Sequence, residues 1–201
     1  MLIVKSKYRI ARRLGAAIFD QTQTQKFALR EQNRVEKKRG RAPSDFGKQL
    51  LEKQRVRFTY GISERQLSNY VQRAIATKDP SASLHVMLET RADNVVYRSG
   101  LASTRRGARQ MVSHGHIKVN GTRTMVPSHE LRKNDVISVR DGSKGKSMFA
   151  VLAEKNPEGR AVPQWIDIDV NLLTVKVTGE PSYSPIEAGY DYATVFEFYS
   201  R

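Results

Sequence analysis

Between Ser103 and Gly121 the spacing of apolar residues changes period within one short stretch. Ala108, Met111 and Val112 stand at i, i+3 and i+4, which predicts a helix with a single apolar stripe. Ser103 can cap its start, its hydroxyl oxygen accepting a first-turn N–H, and Gly115 stands where the helix would end in the left-handed conformation. Arg105 and Arg109 lie one turn apart, with Arg106 beside them and Ser113 further along that side. A guanidinium face therefore opposes the stripe. From His116 the period is two: Ile117 and Val119 point one way, and His116, Lys118 and Asn120 the other. Asn120-Gly121 is a hairpin-turn signal, so 122–126 is the predicted return strand, and 136–139 a third.

Upstream, Ser44 is the predicted cap of a helix that stops at Gly61. It carries Lys48, Lys53, Arg55 and Arg57, with Phe46, Leu50 and Leu51 available to a core. Ser63-Glu64-Arg65-Gln66 reads as a capping box before the stripe Leu67, Tyr70, Val71, Ala74 and Ile75. Residues 76–83, with Asp79-Pro80, read as a loop between domains. A helix begins at Leu84, buries Met87, Leu88, Ala92, Val95 and Val96, and ends at Gly100. Arg91 and Arg98 project from its other faces, and with the helix after Ser103 it makes a helix–turn–helix-like pair. Downstream, 141–147 reads as a flexible loop and 148–156 as a short helix broken by Pro157-Glu158-Gly159. Ile166, Ile168 and Val170 alternate with Asp167 and Asp169 in a half-buried strand, and 172–177 reads as another.

Charge changes the picture. The formal net charge of the 201-residue chain is +15, its pI is about 10.2, and it is 39% hydrophobic. Such an excess calls for a polyanionic partner, nucleic acid or an anionic membrane surface. Residues 1–41 carry 12 basic and 3 acidic side chains, 42–83 carry 7 and 4, 84–140 carry 10 and 4, and 141–201 carry 6 and 9. Contact with a polyanion is thus expected in the first two-thirds, and the acidic end is expected to face solvent or a basic protein. Residues 1–41 form a basic arm, with a weak helix predicted within 26–41. Its low apolar content predicts either a soluble tail or an arm ordered against RNA. No apolar run approaches a bilayer span, and the N-terminal apolar stretch is too short for a secretory signal. With no cysteine there is no disulfide framework and no thiolate metal site, which fits a reducing compartment.

Catalytic patterns are weak. Asp93 has no second catalytic group beside it, so a structural pairing with a nearby arginine is expected. Gly145-Lys146-Ser147 mimics the end of a phosphate-binding loop, but Arg140 occupies the position of that motif's first glycine. His114 and His116 lack the further ligands of a tetrahedral metal site, and neither a cofactor nor a metal is expected. The charge run on the helix after Ser103 could be only a solvated face. Against that, the arginines run into a strand bearing His and Lys, and forked guanidinium groups suit a bent RNA backbone.

Arg91-Ala92-Asp93-Asn94-Val95-Val96-Tyr97-Arg98, Ala102-Ser103-Thr104-Arg105, Ala108-Arg109-Gln110, His114-Gly115-His116-Ile117 and Val119-Asn120-Gly121 resemble the RNA-binding module of the small-subunit ribosomal protein four family. The likeness continues through Pro127-Ser128 and 135–140. It extends to Tyr8–Gly15, Ser44-Asp45-Phe46-Gly47, Tyr60-Gly61, Glu64-Arg65-Gln66, Val162-Pro163-Gln164-Trp165 and the ending Val195–Arg201. Many bacterial members carry four zinc-binding cysteines near the N-terminus; this chain has none, so no zinc is expected.

The resemblance implies an α+β fold with an antiparallel sheet, in two domains. A basic arm and helical domain at 1–83 would be joined by the tail 185–201, and an RNA-binding domain at 84–184 would hold the module at 84–140. The expected RNA-binding residues in the first domain are Arg9, Arg12, Arg13, Lys48, Lys53, Arg55, Arg57, Tyr60 and Gln66. In the second they are Arg91, Arg98, Ser103, Thr104, Arg105, Arg106, Arg109, Gln110, Ser113, His114, His116, Lys118 and Asn120. The implied role is a non-enzymatic, rRNA-binding constituent of the small subunit, on a cytoplasmic or organellar ribosome. It would dock a multi-helix junction early in assembly, beside proteins three and five and the mRNA entrance, and so affect translational accuracy. The alternatives are an RNA-modifying enzyme of pseudouridine-synthase type and a stress RNA chaperone, each using the module as a handle.

Overall fold

The computed structural model describes residue 4 and residues 6–35, 44–146 and 162–200. The basic run at 37–41 and the helix expected at 148–156 lie outside them. The fold is α+β. Contacts divide it into two compact units, Met1–Leu84 with Ser184–Arg201, and His85–Tyr183.

In the first unit, α1 (Lys7–Leu14) buries Ala11 and Leu14. α2 (Gln25–Val35) buries Phe27, whose ring lies 6.0 Å from that of Tyr8. Arg12 reaches Glu31 at 3.3 Å, so residues 6–35 fold on themselves. In α3 (Asp45–Tyr60) the Ser44 hydroxyl accepts from the Gly47 N–H at 3.3 Å, and Gly61 closes the helix at φ 61°. The expected core face of α3 is wrong. Phe46 is 48% exposed, Leu50 and Leu51 are half-buried, and the buried positions are Gln49, Lys53, Val56, Thr59 and Tyr60. The reason is the last helix of the chain, α10 (Tyr192–Tyr199), which lies on this face; it follows a single turn, α9 (Pro185–Ala188). Its Glu197 accepts from Gln49 Nε2 at 2.9 Å, so the donor end of the buried amide is satisfied.

The capping box of α4 (Glu64–Ile75) is formed, Ser63 and Gln66 exchanging bonds of 3.2 and 3.4 Å. Leu67, Tyr70, Val71 and Ala74 are buried as expected, while Ile75 is exposed. Residues 76–83 are not all loop: α5 (Pro80–Glu89) starts inside them, with the Asp79 carboxylate accepting from Ala82 N at 3.1 Å.

The helix expected from Leu84 to Gly100 is two. α5 ends at Glu89, Arg91 turns extended, and α6 (Ala92–Arg98) starts anew. A neighbouring loop sets the break. Ala92 and Asp93 donate their amides to the carbonyls of His129 and Pro127 at 2.8 and 3.1 Å, and Leu131 donates to Thr90 O at 2.9 Å. First-turn amides that would otherwise be orphaned are thereby satisfied.

α7 (Arg105–Ser113) then leads into a five-stranded antiparallel sheet ordered β2-β1-β3-β5-β4: β1 (Ile117–Val119), β2 (Thr122–Thr124), β3 (Val136–Val139), β4 (Ile166–Asp169) and β5 (Thr174–Val177). Val119 pairs with Thr122 across a two-residue turn in which Asn120 and Gly121 have φ 48° and 79°. Ala92, Val95, Val96, Ala108 and Val112 of α6 and α7 pack with Ile117, Ile137, Val139, Val175 and Val177 into one core, with Trp165 at its margin. The flexible loop expected after Arg140 begins instead as a helical turn, α8 (Asp141–Lys144), with Ser143 buried.

Candidate nucleic-acid interface

α7 is capped by Thr104 rather than Ser103: Thr104 Oγ1 accepts from Gly107 N at 3.0 Å. Gly115 ends it at φ 68°. With Ala108, Met111 and Val112 buried, the arginines fall elsewhere, but not on one open face. Arg109 binds Asp93 Oδ2 through Nε at 2.7 Å and Nη2 at 2.6 Å. Arg105 donates from Nε to Asn94 Oδ1 at 3.1 Å, and its guanidinium lies 4.3 Å from the Tyr97 ring centroid. Of the three, Arg106 is the exposed one, along a surface shared with Gln110, Ser113 and His114. Ser113 turns its hydroxyl back to Arg109 O at 2.9 Å.

Arg91 is 2% exposed, so it is removed from the accessible set; it is locked to Asp93 by bonds of 3.0 and 2.8 Å. Asp93 is thus a structural counter-ion. Arg98, partly exposed, grips Glu89 through two bonds of 2.8 Å. A buried carboxylate without such partners would be costly, and these guanidiniums supply them.

On the hairpin, Lys118 is partly exposed and meets Asp141 at 3.0 Å. Lys118 and Lys144 hold the Asp141 carboxyl down at about 2. His116 does not share an open face with Lys118. It is 8% exposed, its Nδ1 sits 3.0 Å from Ser143 Oγ, and burial first, then electrostatic effects led by Lys146, hold its imidazole below the ordinary value. Asn120 builds the turn: its amide donates to Asp135 at 2.9 Å and accepts from Val136 N at 2.9 Å.

In the first unit Arg9, Arg12, Arg13 and Lys48 are exposed, Lys48 beside Asp45 at 3.0 Å. Arg55 pairs with Glu52, and Arg57 reaches Glu64 at 3.5 Å. Lys53 and Tyr60, expected to meet RNA, are instead buried, at 6% and 3% exposure. Lys53 binds Glu64 at 2.7 Å beneath the Phe198 ring. Burial raises the Glu64 pKa, but the Lys53 and Tyr199 hydrogen bonds and the charges of Lys53 and Arg57 together outweigh it, and the carboxyl stays below its ordinary value. Gln66, though exposed, is engaged in the capping box. Among the described residues no group of three or more histidine or acidic side chains could hold a metal ion.

Residues 4–89 match the family described as "Ribosomal protein S4/S9 N-terminal domain", and residues 90–137 match the "S4 domain". The small ribosomal subunit protein uS4 of Borrelia hermsii is 40% identical over 200 residues, covering 98% of this chain and 96% of its own. The uS4c protein of Emiliania huxleyi is 40% identical over 202 residues with the same coverages, and uS4 of Borrelia turicatae is 38% identical over 200. The chain belongs to the uS4 family.

The two uS4 family matches meet at residues 89 and 90, where α5 breaks from α6. Strands β4 and β5 and the closing helix α10 lie beyond both matches but within the span shared with the whole uS4 relatives. Arg123, Arg132 and Lys133 of this module were not among the expected contacts, and Arg123 is placed closest to them. Arg123 stands directly opposite Lys118 in the hairpin, is exposed, covers Gly115 so closely that a Cβ there would overlap it, and donates to His114 O at 3.3 Å. The two-residue turn at Asn120-Gly121 was the signal, since it fixes the register that sets 118 against 123. Two cations facing each other across strands repel unless an anion lies near.

Proposed function

We propose that the chain is a structural constituent of the small ribosomal subunit and binds its rRNA. The observation that carries this is the 40% identity to uS4 across 98% of the chain. An RNA-modifying enzyme or a stress chaperone that borrowed the module would share residues near 90–137 and not the rest. Surface cations support the reading: exposed Arg9 and Arg13 on the first unit, exposed Arg106 and Arg123 and partly exposed Lys118 on the second.

The finer proposal is shape-selective docking on a folded multi-helix rRNA junction, early in assembly, near the mRNA entrance and proteins three and five. Each unit offers cations to phosphates, while RNA duplex grooves expose few base edges to side chains. The test is sedimentation. In low-salt gradients the tagged chain should travel with the small subunit, and the purified protein should bind protein-free small-subunit rRNA with affinity that falls as salt rises, by about 0.7–0.9 log units per phosphate contact for each log unit of salt. Recovery only in the soluble fraction would overturn the reading.

A further inference from the structure

The polar chain beneath α6 and α7 converges on the Glu89 carboxylate from two sides, Arg98 on one and Asn94 with Arg105 behind it on the other. Arg98 sets Nε and Nη2 2.8 Å from the two carboxylate oxygens of Glu89, a residue 2% exposed. Glu89 Oε2 in turn accepts from Asn94 Nδ2 at 2.9 Å, and the same Nδ2 lies 3.1 Å from the Glu89 main-chain oxygen. The other end of the amide, Oδ1, accepts from Arg105 Nε at 3.1 Å, while the Tyr97 ring supports the guanidinium plane at 4.3 Å. Only an amide suits the middle position. It donates on the Glu89 side and accepts on the Arg105 side; a carboxylate there would face Glu89, and a cation would face Arg105. Asn94 is 3% exposed and Arg105 is partly exposed. The relay thus ends at the surface, on the helix that also carries Arg106.

We infer that Asn94 is a positioning residue for RNA binding. Held by Glu89, it fixes the plane of Arg105 against Tyr97, so that a forked cation meets one phosphate without first losing its rotamer freedom. This rests on the rRNA-binding reading above and adds a buried residue that never touches RNA.

The experiment is a double-mutant cycle on the full chain, with protein-free small-subunit rRNA as the probe and Trp165 emission confirming that each variant is folded. Asn94→Ala should weaken binding about tenfold, the scale of one charge-assisted contact. In an Arg105→Ala background the same change should shift affinity less than about twofold, because the group it positions is gone. Both single variants should lower the salt slope by about 0.7–0.9, one phosphate. A merely structural asparagine would leave that slope unchanged. Arg105→Lys keeps the charge and leaves the buried amide in place, but brings no Nε–H for Asn94 and no plane for Tyr97. It should bind about as weakly as Asn94→Ala. Independent effects of Asn94 and Arg105, or wild-type binding by Arg105→Lys, would overturn the inference. If wild-type protein binds rRNA and the cycle shows no coupling, only the role of Asn94 fails; if wild-type protein does not bind, the rRNA-binding reading fails with it.

Discussion

Asp93→Ala tests whether the arginines beside α7 are held from within. The Asp93 side chain is 4% exposed and takes four contacts of 2.6–3.0 Å, two from Arg91 and two from Arg109. Arg91 is itself 2% exposed, so removing the carboxylate takes the Asp93 counter-charge from a guanidinium that water cannot readily reach. Breaking one side of a buried ion pair costs about 3–5 kcal/mol, a large part of the roughly 5–15 kcal/mol that holds a domain folded. Lys144→Ala is the control in the same unit. It removes a partner of Asp141 at 3.1 Å, but the two side chains are 43% and 75% exposed, and solvent screens such a pair so that it contributes little. The assay is urea unfolding followed by the emission of Trp165, the single tryptophan, which packs against the core of the second unit and so reports that unit alone. Asp93→Ala should move the midpoint several times further than Lys144→Ala, with unchanged slope. If the two variants shift it equally, the buried pair does not hold the arginines, and Arg109 would return to the set of expected RNA contacts.

Val112→Ala, at 0% exposure in the same core, should cost about 1–3 kcal/mol in that assay and leave RNA affinity unchanged while the domain is folded. Arg106→Ala should do the reverse in filter binding, losing about 1–3 kcal/mol of RNA affinity while changing stability by about 0.5 kcal/mol or less. Stability should also fall on acidification between about pH 7.5 and 5.5. Burial, first among the causes, holds His85 and His116 below the ordinary histidine value, so the unfolded chain takes up protons through that range before the folded one does. Unfolding midpoints measured across that range should therefore drop, and His116→Gln should flatten the dependence; a wild-type midpoint that rises on acidification would contradict it.

What the sequence revealed was local. The hairpin at Asn120-Gly121, the capping box at Ser63 and the stops at Gly61 and Gly115 are each set by residues a few positions apart, and each is found where spacing placed it. The face of a helix that meets another element is set from far away. Gln49 is buried because Glu197 is 148 residues on, and the guanidinium face of α7 is divided because Arg109 finds Asp93 sixteen positions earlier. Spacing alone cannot tell an arginine facing solvent from one facing a carboxylate. Nor could it show the break at Thr90-Arg91, which depends on carbonyls of the 127–129 loop. The basic arm misled in the opposite sense, since the few apolar groups Ala11, Leu14 and Phe27 suffice to bury a small core once α1 meets α2 and α3.

The closing helix gives the chain an unusual schedule during synthesis. The second unit, His85–Tyr183, is continuous and complete before α10 is made. The first unit is begun earlier and finished later, because Tyr199 follows its partner Glu64 by 135 residues. At about 5–20 residues per second that is a wait of roughly 7–27 s, during which Lys53 and Glu64 lack the rings of Phe198 and Tyr199. A product released before Tyr192 never closes that face. The eight-residue helix α10 therefore makes the folding of the first unit conditional on synthesis having passed Tyr199.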